Sequence, residues 1–484
     1  MVDRRLRAMR ITINGAIAVL TMTLAIGTAS VASAQDSSPN LSALLPELIL
    51  REIRLPTPST PGFSHAAHFS PFTVAELANP AVAVVDGFNK LMVVQLSTTP
   101  IGSSSGGFSY AFDPTLGTFR RASSSFGPLF AERAATLGRG RMSAGFNYQH
   151  SSFDTFEGSN LDDGSIKFYL RHQECCSTGG PVVPPFFGVV EQPDGTLLSP
   201  FFEGDVIEAA LSLKVSTDLF AVFGNYGLTD RWDVGIAVPF VHVDMDARVL
   251  ATIRRLATSA NPLIHTFQAG TDTPTQTFSS GGSATGIGDI ALRTKFRVTD
   301  FPAGGLAAAV DVRLPTGDEE NLLGGPTQVK FFLVESAGTN RVTQHVNIGY
   351  TVSSDSNTPV AGGLGLANFP DELNYAAGLE FVLQPRVTVI GDIVGRNLRN
   401  AGRLDLASKT FTFQPQGTPA PPLASMQFDE FQPRDGNLNL LYGTAGVKVN
   451  PKGNWLISAS LLFPLTDAGL KAGLTTIVGM DYAF

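Results

Sequence analysis

From about residue 140 to its end, the chain is written in short segments that alternate apolar residues with polar or small ones. A period of two belongs to β-strands whose faces meet different surroundings, because successive side chains point to opposite sides. In 289–298, Asp289, Arg293, Lys295 and Arg297 share one parity, and Ile290, Leu292, Phe296 and Val298 share the other. In 306–314, Asp311 and Arg313 oppose Leu306, Val310, Val312 and Leu314; in 342–352, Asn347, Gly349 and Thr351 oppose Val346, Ile348, Tyr350 and Val352. Further on, Arg386, Asp392 and Arg396 oppose Val387, Val389 and Ile393, and Ser458 and Ser460 oppose Trp455, Ile457, Leu461 and Phe463. The same mixture explains a chain of 484 residues that is 43% hydrophobic and only 16% charged, yet has a mean hydropathy of +0.12. Its net charge of −8 does not suit a nucleic-acid partner.

Alternation is also found in soluble sandwiches, so two further features decide. The first is the spacing of connections. Short turns stand near 227–230, 300–303, 338–341, 384–385 and 450–453, and between them lie long polar connections near 257–285, 317–326, 355–371, 399–435 and 465–472. Short turns on one side and long loops on the other are the pattern of outer-membrane barrels. The second is the C-terminus, where Val478, Met480, Tyr482 and Phe484 share a face and Phe484 is the last residue. A terminal strand ending on an aromatic resembles the signal read by the barrel assembly machinery, which points to Tyr482 and Phe484 as that signal.

The N-terminus agrees with export. Arg4, Arg5, Arg7 and Arg10 precede a short apolar run over 15–28 and an Ala32-Ser33-Ala34 cleavage site, so residues 1–34 read as a secretory signal. Beyond it no apolar run reaches the length of a membrane helix. The best stretch, 78–96, holds Pro80, Asp86 and Lys90. A membrane-spanning reading therefore demands a closed barrel.

Strands are expected near 140–152, 205–226, 231–250, 286–299, 304–315, 327–337, 342–354, 372–383, 386–398, 436–449, 453–464 and 473–484. This predicts an all-β, transmembrane antiparallel β-barrel of twelve strands over 139–484, or fourteen if 164–174 and a partner enter the wall. Residues 35–138 do not alternate cleanly. A short amphipathic helix is expected over 41–54, and Thr73 with Glu76 makes a capping box before Pro80. This N-terminal segment reads as a plug inside the barrel, the alternative being a periplasmic extension.

The inward parity collects Asp289, Arg293, Lys295, Arg297, Asp311, Arg313, Lys330, Glu380, Asp392, Arg396 and Asp481 as lumen-lining candidates. They could fill the barrel as paired charges or select solutes. Phe108, Tyr110, Phe112, Phe119, Phe126 and Phe130 are the aromatics of the plug segment, suited to apolar small molecules or to holding the plug against the wall. No nucleophile elbow, zinc-protease or phosphate-loop pattern occurs. His65 and His68 stand in an irregular stretch, and His172, Glu174, Cys175 and Cys176 cluster in an external connection without a full ligand set. No metal and no cofactor is expected.

Three motifs carry a resemblance. Residues 226–240 (YGLTDRWDVGIAVPF), 286–296 (GIGDIALRTKF) and 313–325 (RLPTGDEENLLGG) resemble the outer-membrane family labelled as the MetA pathway of phenol degradation. That family is similar to the long-chain fatty acid and aromatic-hydrocarbon channels. The resemblance spans roughly 204–484 and implies a channel for hydrophobic or aromatic compounds, with an N-terminal hatch. The expected protein is thus an outer-membrane channel for passive uptake of small hydrophobic or aromatic molecules, and not an enzyme. Its partners would be outer-membrane lipid, the assembly machinery and the solute, with no nucleic acid. The rival readings are a barrel lipid hydrolase using His150, His242 or His345, and a closed structural barrel.

Overall fold

The computed structural model describes residues 40–56, 80–100, 102, 107–113, 118–121, 125–171, 190–191, 197–198, 205–260, 262–339, 341–356, 369–413 and 424–484. The leader, the pair Thr73 and Glu76, His65, His68 and the cluster from His172 to Cys176 lie outside these residues.

Twelve strands among the described residues close into one antiparallel ring. They are β1 (Met142–Phe156), β2 (Val206–Gly227), β3 (Trp232–Arg254), β4 (Ala291–Phe301), β5 (Gly304–Arg313) and β6 (Gln328–Gly338), then β7 (Val342–Ser353), β8 (Glu372–Gln384), β9 (Val387–Leu398), β10 (Leu438–Val449), β11 (Trp455–Pro464) and β12 (Leu470–Ala483). Each pairs with its neighbour in sequence, and β12 returns to β1 with Ala483 opposite Ser143. Closure leaves no unpaired strand edge within the ring, the condition for a sheet to sit in hydrocarbon. The outward parity is apolar and open: Leu333, Ile348 and Leu379 are 49%, 55% and 58% exposed at mid-strand. At the short-turn end, Trp455 packs on Tyr482 at 4.7 Å and Tyr482 on Phe484 at 4.7 Å, while Trp232 donates its Nε1–H to Thr294 Oγ1 (2.7 Å). Aromatic rings at strand ends are where a barrel's interfacial girdle lies. No described helix is long and apolar enough to cross a membrane.

The structure differs from the expected strand pattern beyond the ring. β2 and β3 run 22 and 23 residues, about twice what a bilayer requires, so their far halves stand clear of the ring. Residues Thr275–Ile287 add a strand along the far half of β3, and Ile166–Arg171 along the far half of β2. The described part of the 164–174 segment thus pairs outside the closed wall, and the ring among the described residues has twelve strands. The polar stretch 399–435 holds a hairpin of Arg403–Phe413 with Ala424–Arg434. Thr275–Ile287 and the hairpin fall within stretches expected as long polar connections, yet backbone pairing along a strand edge needs no continuous apolar face.

The wall strand expected at 286–299 is interrupted at 288–290, and the interruption joins two of the resemblance motifs. Asp289 turns away from the ladder and accepts the backbone N–H groups of Gly317 (3.0 Å) and Gly325 (2.8 Å), clamping the loop between β5 and β6. Gly324 sits where a Cβ would strike Asp289 and lie 2.8 Å from the Cα of Gly317, so only glycine fits there.

At the long-connection end the N-terminal segment builds the main apolar core. A helical stretch over 44–52 and helix α1 (Pro80–Ser97) bury Leu44, Leu48, Ile49, Val85, Phe88 and Met92. These pack against the far halves of β2 and β3 and the hairpin. The expected amphipathic helix at 41–54 is shorter; its apolar residues are buried, while Arg51 and Glu52 at its end are exposed.

Candidate functional site

At the opposite, short-turn end, residues 126–139 run as a strap around the inner wall. An extended strap cannot satisfy its own backbone groups, so the wall must. Lys448 on β10 donates to the carbonyl of Pro128 (2.7 Å). Asp392 on β9 accepts the N–H groups of Leu129 (2.9 Å) and Phe130 (2.7 Å), and Glu380 on β8 accepts that of Gly127 (2.9 Å). Asn347 on β7 both accepts from the N–H of Glu132 (2.6 Å) and donates to its carbonyl (3.1 Å). Ser336 on β6 accepts from Ala134 (2.8 Å), Lys295 on β4 donates to Arg133 (3.1 Å) and Asp233 on β3 accepts from Leu137 (2.9 Å). The strap then passes into β1.

Glu380 is itself held. His345 bridges it to Ser336, with Nε2 2.5 Å from Glu380 and Nδ1 2.8 Å from Ser336 Oγ. A serine, a histidine and a carboxylate in sequence are the parts of a nucleophilic triad. Here, however, Ser336 is buried and its oxygen already takes the Ala134 N–H, so the chain of bonds anchors the strap. His150 lies far from it, paired with Asp218 (2.7 Å), and His242 contacts Thr285 (2.7 Å).

Between the strap and the apolar core lies a cavity of about 190 Å³. Phe130 and Phe332 face it, together with Arg293, Arg313, Lys330 and Arg396. Arg293 is clamped by Asp311, through Nε (2.6 Å) and Nη2 (2.5 Å), and pairs with Glu132 of the strap. Arg396 pairs with Glu372 and donates to the carbonyl of Thr98 (2.8 Å) just after α1. These two arginines therefore tie the N-terminal segment to the wall.

The other candidates are placed as follows. Arg297 pairs with Asp300 at the short-turn end, and Asp481 is buried beside Gly145. Phe108 and Phe126 stack edge-on at 5.7 Å and form a small cluster with Leu456 and Ala483. The side chains of Tyr110, Phe112 and Phe119 lie outside the described residues. The lumen-lining candidates read from the sequence left out Asn347, Ser336, Lys448 and Asp233. All four occupy the inward parity, and that parity was the signal that could have found them.

No protein-family model and no curated protein matches the sequence. Among solved structures, the fold is similar to the COG4313 outer-membrane channel from Pseudomonas putida F1, at 12% identity over 72% of this chain and 98% of that chain, with a TM-score of 0.39. It is also similar to the CymD monoaromatic hydrocarbon channel, at 9% identity over 72% and 91% of the two chains (TM-score 0.31). A Pseudomonas aeruginosa FadL homologue matches at 11% identity over 78% and 94% (TM-score 0.30).

Proposed function

We propose that the chain is a channel of the bacterial outer membrane for passive entry of small hydrophobic or aromatic molecules, with residues 35–138 as its plug. The observation that carries this reading is a closed barrel whose lumen holds a hydrogen-bonded strap and leaves a cavity beside it. A barrel built only for structure would gain more by filling that space with side chains. The apolar outer belt meets lipid, the long connections face outward, and the strand ending on Tyr482 and Phe484 lies at the periplasmic end, where the assembly machinery would read it. Phe130 and Phe332 offer an apolar body a surface inside the lumen. Passage requires the strap and the outer core to shift, since both lie across the lumen. The channel needs no cofactor.

The test is the full chain reconstituted in planar bilayers and in liposomes. Ion conductance or solute-driven swelling is expected, and both should rise when Asp392→Asn loosens the strap. A protein silent in both assays, with and without that substitution, would make the closed structural barrel the better reading. Ester hydrolysis that disappears in His345→Ala would favour the hydrolase instead.

A further inference from the structure

The charges facing the 190 Å³ cavity are not all paired. Three carboxylates face it, Glu132, Asp311 and Glu372. The first two are taken by Arg293 and the third by Arg396. Arg313 and Lys330 face the same cavity, and neither has an ion-pair partner among the described residues. Lys330 stands directly across from Asp311 on the neighbouring strand, but both oxygens of Asp311 are engaged by Arg293. The Lys330 ammonium lies instead over the Phe332 ring, 4.6 Å from its centre. Asp289 acts on Arg313 electrostatically, but its oxygens hold the Gly317 and Gly325 N–H groups.

Two half-buried cations without an ion-pair partner among the described residues carry a desolvation cost that a bound anion would offset. The rest of the lining is mixed: Pro100, Phe130, Ala237, Ala291 and Phe332 give it an apolar side, and Thr98, Gln328, Asn347, Thr351 and Asn374 a neutral polar one. A cavity of roughly 150 Å³ is enough to hold a benzene ring. The position also suits a way-station. Arg313 lines a second void of about 30 Å³ toward the long-connection end, and Arg293 a third of about 20 Å³ toward the short-turn end. The three voids follow one another along β3.

We propose that this cavity is a binding station for a small carboxylate with an apolar body, such as an aromatic acid. Arg313 and Lys330 hold the carboxylate, and Phe130 and Phe332 face the body. The inference rests on the reading of the barrel as a channel, and it narrows the solute from hydrophobic compounds in general to their acids. Inorganic phosphate shares the charge but would leave the apolar lining uncovered.

The test uses the full chain in detergent, titrated with benzoate, benzyl alcohol and inorganic phosphate by calorimetry and saturation-transfer NMR. Benzoate is expected to bind saturably and more tightly than either of the others. Arg313→Gln with Lys330→Gln should weaken benzoate by about tenfold or more while leaving benzyl alcohol unchanged. Neither cation makes an ion pair with a carboxylate, but Arg313 does act on buried Asp289, so the Lys330 substitution is also made alone. Unaltered heat-modifiable gel mobility checks the fold, and Lys330→Met gives a second variant that keeps the apolar stem. Equal affinity for benzoate and benzyl alcohol, or no loss in the variants, overturns the charge recognition. Phosphate binding as tightly as benzoate overturns the role of the apolar body. Conductance measured on the same preparation separates the two readings. A conducting protein that does not bind benzoate loses the station and keeps the channel, whereas a protein without conductance or flux loses the channel itself.

Discussion

Asp392 Oδ2 accepts the backbone N–H of Phe130 at 2.7 Å, joining the middle of β9 to a strap 262 residues earlier in the chain. The same oxygen takes the N–H of Leu129, so one carboxylate satisfies two buried donors. Asp392→Ala should leave both without an acceptor, at about 1–3 kcal/mol for each buried group. Faster hydrogen exchange in peptides covering 126–134, by about tenfold or more, is the expected readout. Unchanged exchange would mean that the strap is held elsewhere.

The pair Arg396 and Glu372 makes a second prediction. Both are buried, and Arg396 also reaches Thr98 behind α1. Removing one partner of a buried pair costs about 3–5 kcal/mol, because the other charge is left uncompensated. Glu372→Gln should therefore lower the unfolding midpoint in denaturant more than Glu372→Gln with Arg396→Met does. A double variant less stable than the single one would contradict this.

Gly324 is the third. A methyl group there must displace Asp289 or the Gly317 backbone, which costs about 1–3 kcal/mol in a packed site. Gly324→Ala should lower the temperature of the heat-modifiable gel transition. Gly391→Ala is the control: its Cβ would meet only the Thr444 carbonyl oxygen at an ordinary 3.7 Å. Equal shifts in both variants would show that the Asp289 clamp has no special weight.

The lipid face supplies the fourth. Ile348 lies at mid-strand on β7 and is 55% exposed. An arginine at the midplane of an outward face costs about 2–4 kcal/mol in a bilayer. Ile348→Arg should reduce folding into liposomes measurably, while Val342→Arg at the strand end should cost far less. Equal effects at both depths would argue against the membrane belt.

How far these residues could be read in advance varies with the kind of interaction. Parity alone separated Ile348 from Asn347, since adjacent strand residues face opposite sides. It also placed Asp392, Glu380 and Arg293 on one face. It could not separate Arg293 from Arg313, which share that parity. Only the register sets Arg293 opposite Asp311 and leaves Arg313 across from Ala291 and Gln328. The triad-like contacts of Ser336, His345 and Glu380 were equally hidden, because they join three strands.

The sequence by itself determined the ring: twelve alternating segments, short and long connections in turn, and a terminal strand ending on Phe484. These are local properties, and a strand's pleat translates them directly into an inside and an outside. Only the tertiary structure decided what the inside holds. The strap has no periodic pattern of its own, so its path depends on donors and acceptors scattered over β3 to β10. Which cations stay unpaired depends on which carboxylates the strap and the neighbouring strands bring within reach. The wall is a repeating local rule, whereas the lumen is a set of distances between residues far apart in the chain.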